Sequence, residues 1–265
     1  RRSTAASPPS GAARARPSTC STPTGSCCGR RRSACGSWPS RSGAASATLA
    51  SGDGLEGFKK RVGLPDAREL ALDSPYDYGT QAALWCVPDL PEPKDEAAHA
   101  KAIAEHCAEI VVRVPGGVFI LFSSWKTLKK VHAALRKKIK DRPVWAQGPS
   151  GHEALLDQFA QAGDAVLLGV DTFWQGVDVP GPALSCVILT KLPFPNVGSP
   201  LEEARGRWLE ENGLAYFPDW SLPKAVMKFR QGFGRLIRAS TDRGAVVCLD
   251  SRLLKKGYGK VFLSA

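Results

Sequence analysis

The chain has 265 residues, which is enough for one or two domains, and its formal net charge is +11. This charge is uneven, because residues 1–45 hold eight Arg and no Lys, Asp or Glu, whereas the other 28 basic residues nearly balance 25 acidic ones. Bulk charge therefore does not predict a nucleic-acid surface on residues 46–265. No run of about 18 apolar residues occurs, so the sequence predicts no membrane-spanning helix and no membrane partner.

Residues 1–45 differ in composition from everything that follows. They contain no Val, Ile, Leu, Phe, Met or Tyr and a single Trp38. Such a segment cannot bury enough apolar surface to offset the entropy of ordering its backbone, so we expect a disordered tail that adds nothing to stability. It also lacks the apolar stretch of a signal peptide. We prefer to interpret it as a frameshifted or mis-started reading of a GC-rich gene rather than as a genuine disordered arm.

Beyond residue 45 the apolar pattern alternates between strand-like and helix-like segments. The predicted strands are Leu70–Leu72, Leu84–Val87, Val118–Phe122, Val144–Ala146, Ala165–Val170, Ser185–Leu189 and Ala245–Leu249. The predicted helices are Glu96–Val112, Lys126–Lys140, His152–Gln161, Leu201–Asn212 and Pro223–Ile237. This alternation is typical of a parallel sheet with crossover helices, so we predict an α/β fold and one compact domain over residues 46–265.

Two predicted strands end in polar stretches that are candidates for ligand contact. Ser123, Ser124 and Trp125 follow the first of them, and a helix with six lysines comes next. Lysines so distributed most often form a solvated face, and we treat them as such. The other stretch, Gly169–Gly181, is rich in Gly, Asp and Thr and follows a buried strand. Ligands of open α/β sheets bind at loops of this kind.

The most specific stretch is Gln231-Gly232-Phe233-Gly234-Arg235-Leu236-Ile237-Arg238. If it is helical, Arg235 and Arg238 are three positions apart and project from the same face. A guanidinium is always charged, and its forked donors match phosphate oxygens. Each glycine costs a helix about 1 kcal/mol relative to Ala, which indicates that the backbone approaches another group closely. The alternative for an isolated pair of arginines is a solvated basic helix end.

These stretches, in this order, resemble the motifs of DinG/XPD-like helicases of superfamily 2. Ser46-Ala47-Thr48 resembles the motif that ends the first motor domain, and Phe122–Trp125 the one that opens the second. Phe173–Gly181 and Gln231–Arg238 resemble the two later motifs of the second motor domain. Shorter agreements are Ser74–Tyr78, Lys191–Pro195, Leu222–Ala225 and Leu249–Leu253. The resemblance covers residues 45–265 and implies a RecA-like domain.

The resemblance also implies roles for individual residues at a cleft that binds ATP between two RecA-like domains. Arg235 and Arg238 would contact the γ-phosphate as arginine fingers, and Gln231 would sense the nucleotide from the same surface. The remaining nucleotide contacts would be Gly176, Asp178 and Gly234. Asp178 has an alternative role as a turn-forming residue before Val-Pro-Gly.

Single-stranded or forked DNA is the other ligand that the resemblance implies. Ser123, Ser124 and Thr172 would contact phosphates, because hydroxyls and backbone amides position a strand without reading its sequence. Trp125 and Trp174 would either stack on bases or pack beneath their own loops. The family further implies 5′→3′ movement, a role in repair or replication, and a cytoplasmic, nucleoid-associated location.

Two features of the first motor domain have no counterpart in this sequence. No G-x-x-x-x-G-K-[ST] phosphate-binding loop occurs. Asp95–His99 is similar to the acidic box that holds Mg²⁺, but no apolar strand precedes it, and we interpret it as the acidic first turn of a helix. We therefore expect ATP and Mg²⁺ to be shared with a missing N-terminal motor domain, and no hydrolysis by this chain alone.

Three further expectations concern cysteine and the competing functions. Cys186 and Cys248 lie in predicted strands and should be core residues. The family's iron–sulfur cluster belongs upstream, and the tail cysteines lack paired C-x-x-C spacing, so no cluster is expected here. The alternative function is a RecA-like module that binds nucleic acid or protein without turnover. The missing phosphate-binding loop disfavours a second alternative, a single-domain P-loop kinase or other NTPase.

Overall fold

A computed structural model of the protein describes residues 54–72, 74–148, 152–170 and 183–264. The elements in these residues are α1 (Glu56–Val62), α2 (Tyr78–Gln81), β1 (Ala82–Cys86), α3 (Glu96–Arg113), β2 (Gly117–Leu121), α4 (Trp125–Lys138), β3 (Val144–Ala146), α5 (His152–Ala162), β4 (Val166–Gly169), β5 (Leu184–Leu189), α6 (Pro200–Glu211), a π-helical turn (Phe217–Ser221), α7 (Leu222–Phe233), β6 (Gly244–Cys248), α8 (Arg252–Lys255) and α9 (Gly259–Leu263). Tail residues 1–45 and the Ser46–Thr48 motif lie outside the described residues.

The six strands form one sheet in the order β1-β6-β5-β2-β4-β3, and every pairing in it is parallel. Parallel neighbours require crossover connections, and α3, α4, α5 and α7 each lie in one of them. This confirms the predicted α/β architecture. Six of the seven predicted strands are present with bounds that agree within two residues.

The predicted strand Leu70–Leu72 is wrong. Leu70 is 78% exposed and Leu72 80% exposed, and neither residue belongs to the sheet. The outermost strand next to β6 is β1 instead, and its Ala82 is opposite Gly244. A short apolar run without a neighbouring strand has no partner for its backbone groups, so an apolar pattern alone is not sufficient for a strand.

The core consists of two apolar layers, one on each face of the sheet. Successive residues of β2 alternate between them: Phe119 packs with α5 and α7, whereas Ile120 packs with α3 and α4. Cys186 and Cys248 are fully buried in these layers, as predicted. Because strands β2, β4 and β5 are covered on both faces, they appear in the sequence as continuous apolar runs.

Helix α3 begins where the sequence resembled an acidic box. Asp95 is its N-cap and accepts a hydrogen bond from the Ala98 amide at 3.1 Å, and Glu96 lies in the first turn. This confirms the interpretation of Asp95–His99 as a helix start. Among the described residues, no helix combines the length and the apolar character that crossing a bilayer requires.

Candidate functional site

The helix prediction around the two arginines is wrong. Helix α7 ends at Phe233 rather than Ile237, and Arg235 and Arg238 lie in the segment that follows it. The amide of Arg235 bonds to the Gly232 carbonyl at 3.3 Å, three residues back, so the chain leaves the helix as a tight turn. The direction of the two side chains therefore cannot be derived from helical spacing. Residues 234–243 are called the arginine segment below.

Gly234 is the C-cap of α7, and Gln231 occupies the last turn before it. The Gly234 amide donates to the Arg230 carbonyl at 2.9 Å. A Cβ atom at position 234 would lie 3.6 Å from that carbonyl oxygen and 3.7 Å from the backbone carbonyl oxygen of Gln231, which is ordinary van der Waals contact. Packing within the chain therefore does not require a glycine here. The close approach of another molecule to Gly234 stays a prediction.

Two buried residues anchor the arginine segment in the core. Leu236 is 3% exposed and Ile237 is 2% exposed, and both belong to the apolar layer that contains Phe229 of α7. They separate the two arginines, which are themselves partly buried. Burying two aliphatic side chains contributes about 1.5–3 kcal/mol each, which is enough to hold the turn against the sheet. The two arginines therefore flank a pair of residues that the core holds in place.

The backbone around Arg238 is also held by side chains. Asp242 accepts hydrogen bonds from the amides of Arg238 and Ala239, both at 2.8 Å. The Tyr76 hydroxyl donates to the Arg238 carbonyl at 2.6 Å. The Gln81 amide nitrogen lies 3.0–3.1 Å from the carbonyl oxygens of Ala239, Ser240 and Asp242.

No local sequence pattern identifies these three supporting residues. Tyr76 and Gln81 are about 160 positions away from their partners in the chain, so no local pattern could connect them. The only available signal was that the Ser74–Tyr78 motif precedes a strand, because a strand pairing brings the residues before both strands together. Ala82 of β1 is opposite Gly244 of β6, which brings the residues before β1 next to the arginine segment.

Ser123, Ser124 and Trp125 lie together where β2 passes into α4, and they are called the serine–tryptophan turn below. Ser124 is the N-cap of α4, and its hydroxyl accepts from the Thr127 amide at 3.5 Å. Ser123 is exposed, and Trp125 is 45% exposed. Of the two alternatives for this tryptophan, packing beneath its own loop does not fit that exposure. Its ring is accessible for stacking.

The six lysines of and beside α4 are exposed, as a solvated face would be. Lys126 lies next to the turn and pairs with Glu96 of α3 at 2.5 Å. This contact lowers the pKa of Glu96, chiefly through the hydrogen bond from the ammonium group. Both partners are exposed, so the pair adds little to stability. The six are Lys126, Lys129, Lys130, Lys137, Lys138 and Lys140.

A buried ion pair follows β6 at the same edge of the sheet. Asp250 is 1% exposed and binds the Arg252 guanidinium through two contacts of 2.9 and 2.6 Å. It also accepts from the Leu192 amide at 2.9 Å. Burial raises the pKa of Asp250, but Arg252 and the amides outweigh it, so the pKa is lowered overall. The helicase resemblance includes this stretch, Leu249–Leu253, but implies no role for either residue of the pair.

Lys191 and His99 are close enough to this pair to be affected by its charges. Burial lowers the pKa of the Lys191 ammonium, and the positive charge of Arg252 lowers it further. Burial also lowers the pKa of His99, whose Nε2 atom is buried without a hydrogen-bond partner among the described residues. Arg252 is paired with the ionised Asp250, which balances its charge, so Lys191 is the remaining cation of this group, and it lies just after β5, the strand beside β2.

The two predicted sets of site residues lie at opposite edges of the sheet. The arginine segment precedes β6, whereas the serine–tryptophan turn follows β2, and all strands run in the same direction. Five residues of strand separate the edges by about 16 Å. The structure thus brings Gln231, Gly234, Arg235 and Arg238 together, and keeps Ser123, Ser124 and Trp125 apart from them.

The other predicted contacts, Thr172, Trp174, Gly176 and Asp178, lie outside the described residues. For a nucleotide, the described residues offer two guanidinium groups on an anchored turn, which fit the charge and shape of a phosphate. They do not fit Mg²⁺, because no three His, Cys, Asp or Glu side chains among them come together as a metal site. Contact of these two arginines with a phosphate stays a prediction.

Comparison with known proteins identifies the family to which the chain belongs. A family model described as the helicase C-terminal domain matches residues 107–265. The chain is 38% identical over 220 residues to the ATP-dependent DNA helicase YoaA of Escherichia coli K12, and 35% identical over 224 residues to the ATP-dependent helicase DinG of Mycobacterium tuberculosis H37Rv. These matches cover 83% of this chain but only 34% and 33% of the two relatives, so the chain spans about a third of their length.

The fold comparison gives the same result at lower sequence identity. A solved XPD helicase superposes with a TM-score of 0.53 at 18% identity, covering 69% of this chain and 34% of that one. This likeness shows a shared RecA-like fold. The family match over residues 107–265 and the similarity to YoaA and DinG show that the chain belongs to the helicase C-terminal domain family, in the DinG/XPD-like branch of superfamily 2.

Proposed function

We propose that this chain is the second motor domain of an ATP-dependent DNA helicase, and that Arg235 and Arg238 act on the γ-phosphate of ATP. The observation that carries the proposal is the arginine segment, in which core residues and side-chain hydrogen bonds fix the backbone beneath the guanidinium groups. A group that stabilises developing charge is most effective when it needs no reorganisation at the moment of reaction.

The chemistry follows from the shape and charge of the two side chains. Phosphoryl transfer spreads negative charge over the equatorial oxygens of the γ-phosphate in a loose transition state. Planar guanidinium groups can donate two hydrogen bonds to such oxygens, and they remain charged at any physiological pH. Arg238 would therefore stabilise the transition state, with Arg235 beside it. Gln231, in the last turn of α7, would sense the same nucleotide.

The remaining nucleotide contacts belong to this proposal. Gly234 caps α7 next to the arginines, so its bare backbone would allow a phosphate or sugar to approach. Gly176 would approach the nucleotide, and Asp178 would contact the ribose or a water molecule. Mg²⁺, when bound, would neutralise charge on the phosphates, and its ligands would come from the first motor domain together with the phosphate-binding loop.

The serine–tryptophan turn is proposed as part of the single-stranded DNA track. The exposed Ser123 and the α4 N-cap Ser124 present hydroxyls at the carboxyl edge, and the Trp125 ring is accessible for stacking on a base. The ammonium group of Lys191, just after the neighbouring strand β5, would attract the phosphate backbone. Thr172 and Trp174 would extend the same track.

We propose that the chain is one domain of a longer protein. Its relatives YoaA and DinG are ATP-dependent helicases about three times as long as the matched region. We propose that a first motor domain completes the ATP site, that any iron–sulfur cluster belongs to that domain, and that the enzyme works on DNA in the cytoplasm, associated with the nucleoid. The competing function is a RecA-like module that binds nucleic acid or protein without turnover.

ATP hydrolysis distinguishes the two functions. Purified chain alone should show no turnover above background, whereas the full-length protein containing the first motor domain should hydrolyse ATP when single-stranded DNA is added. The control is the full-length protein without DNA, which should be much slower. If the full-length protein binds DNA but never hydrolyses ATP, the module is correct. Robust hydrolysis by the isolated chain would show that the ATP site has been assigned to the wrong domains.

A further inference from the structure

We propose that Tyr76 and Gln81 are positioning residues for the arginine segment and set the orientation of Arg238. This inference rests on the proposed function of Arg238. Both residues lie outside the stretches to which the sequence assigns nucleotide or DNA contacts. They belong to the segment between Ser74 and β1, and their hydrogen bonds to the arginine segment all go to backbone carbonyls.

Gln81 connects two parts of the chain. It is 5% exposed and is the last residue of α2. Its amide nitrogen points at three carbonyl oxygens of the arginine segment, at 3.0, 3.1 and 3.1 Å. Its Oε1 atom accepts from the Asp77 amide at 2.9 Å, which fixes which end of the side chain faces which partner. The side chain therefore links the residues before β1 to the backbone of the arginine segment, in addition to the bond that the Asp242 amide donates to the Ala239 carbonyl.

Tyr76 acts on the arginine residue itself. Its hydroxyl donates to the Arg238 carbonyl at 2.6 Å, while Asp242 accepts from the Arg238 amide at 2.8 Å. The peptide groups on both sides of the Arg238 Cα are therefore held by side chains. Since the two peptide planes determine φ and ψ, they determine the direction in which the Arg238 side chain leaves the backbone. The buried Ile237 fixes the preceding position.

A fixed side-chain direction is an advantage for a residue that stabilises a transition state. A misplacement of about 1 Å can cost about 10²-fold in rate even when the altered residue is remote from the reacting atoms. Loss of the Tyr76 or Gln81 hydrogen bonds would release the carbonyls of the arginine segment without changing any group that binds ATP or DNA. Turnover should then fall while the affinities for both ligands stay the same.

The test is Tyr76→Phe in the full-length protein, because it removes only the hydroxyl. We expect kcat for DNA-stimulated ATP hydrolysis to fall about 10-fold, with KM for ATP and Kd for single-stranded DNA within about twofold of the unaltered values. The matched control is Tyr78→Phe. Tyr78 is 39% exposed, and its hydroxyl makes no hydrogen bond to any residue that the structure describes, so turnover should not change. Gln81→Leu should act in the same direction as Tyr76→Phe, with an added loss of thermal stability.

A double-mutant comparison separates positioning from a general structural effect. If Tyr76 acts through Arg238, Tyr76→Phe should lower single-turnover hydrolysis little or not at all in an Arg238→Ala background. An equal loss in both backgrounds would overturn the positioning role and leave the arginine assignment intact. Unchanged turnover in Tyr76→Phe, with Arg238→Ala inactive, would do the same. If Arg238→Ala itself retains full hydrolysis, the arginine assignment fails, and the positioning role fails with it.

Discussion

The arginine segment and the serine–tryptophan turn are both short polar stretches next to the sheet, but they are held very differently. Backbone carbonyls of the arginine segment accept hydrogen bonds from Tyr76 and Gln81, and its backbone amides donate to Asp242. Two of its residues are also buried in the core. The serine–tryptophan turn has one long N-cap contact at 3.5 Å, and its Trp125 is 45% exposed. Side-chain hydrogen bonds and core contacts hold the arginine segment, whereas the serine–tryptophan turn is exposed and has little side-chain support.

The difference matches what each region is proposed to contact. A transition state has one geometry, so the groups that stabilise it gain from a fixed backbone. A moving single strand presents changing bases, and exposed hydroxyls and aromatic rings tolerate such change. Side-chain support thus distinguishes the proposed catalytic residues from the proposed track. Mutations should therefore separate the two regions: changes in the arginine segment should lower ATP turnover, and changes in the serine–tryptophan turn should lower DNA affinity.

The largest effect is expected from Arg238→Ala in the full-length protein. Removal of an arginine finger costs about 10³–10⁵-fold in rate in other nucleotide hydrolases, so kcat should fall by about 10³ or more while KM for ATP changes little. Arg238→Lys should not rescue, because a point charge cannot reproduce the planar fork. Arg235→Ala should behave similarly, with partial compensation by Arg238. Steady-state ATP hydrolysis with saturating single-stranded DNA measures all three.

The control for that experiment is Arg243→Ala, which removes the same charge from an exposed position of the same segment. It should retain kcat within about twofold. A comparable loss from Arg243→Ala would mean that net charge at the amino edge, rather than a directed guanidinium, supports hydrolysis.

The next effect concerns the support beneath the arginine segment. A Cβ atom on Gly244, the first residue of β6, would come within 2.5 Å of the Ser185 carbonyl oxygen and 2.6 Å of a Leu236 methyl carbon. Gly244→Ala should therefore lower the free energy of unfolding by about 1–3 kcal/mol, as overpacking does elsewhere. Urea denaturation measures the change. Gly257→Ala is the matched control, because nothing lies within 4 Å of a Cβ there, and it should be nearly neutral.

A smaller effect is expected on DNA affinity from Trp125→Ala. Base stacking on an aromatic ring contributes about 1–3 kcal/mol, which corresponds to about 5–150-fold in Kd. Fluorescence anisotropy with a labelled oligonucleotide at fixed salt measures it. Trp208→Ala is the control, because this tryptophan of α6 is 49% exposed and has no assigned role. Equal losses from both variants would indicate a general change rather than stacking at the turn.

The smallest effect is a pH dependence of stability from His99. Burial lowers its pKa from the ordinary value of 6.5, so the folded state binds a proton less readily than the unfolded state. The unfolded state then holds more protons at mildly acidic pH, and stability is lost as pH falls below about 6.5. His99→Gln should flatten this part of the profile. Urea denaturation at pH 7.5 and 5.5 tests it, and an unchanged slope in the variant would contradict the assignment.

The fold could largely be predicted from the sequence, because the strands buried on both faces appear as apolar runs and the helices as amphipathic ones. The exception Leu70–Leu72 shows the limit of that signal, since a run becomes a strand only when a neighbour pairs with it. The sequence also identified the two arginines as candidate phosphate contacts. Their conformation could not be predicted, because Leu236 keeps helical spacing from Phe229 and is buried with it, although α7 ends at Phe233.

Supporting residues were the least predictable part of the site. Tyr76 and Gln81 are uncharged and far from the arginines in sequence, and only the pairing of β1 with β6 brings them together. Asp242 is close in sequence, but an acidic residue in a turn has many ordinary roles. Residues that hold a backbone by hydrogen bonds to carbonyls leave no periodic pattern, so a structure is needed to identify them.

The most direct test of the account measures DNA affinity and ATP turnover on one preparation of full-length Arg238→Ala. The account predicts that Kd for single-stranded DNA stays within about twofold of the unaltered protein while single-turnover hydrolysis falls by about 10³ or more. Trp125→Ala, measured alongside, should show the reverse pattern, with weakened DNA binding and hydrolysis restored at saturating DNA. If Arg238→Ala instead loses DNA affinity and keeps its hydrolysis rate, the arginines are strand contacts, and the catalytic assignment is wrong.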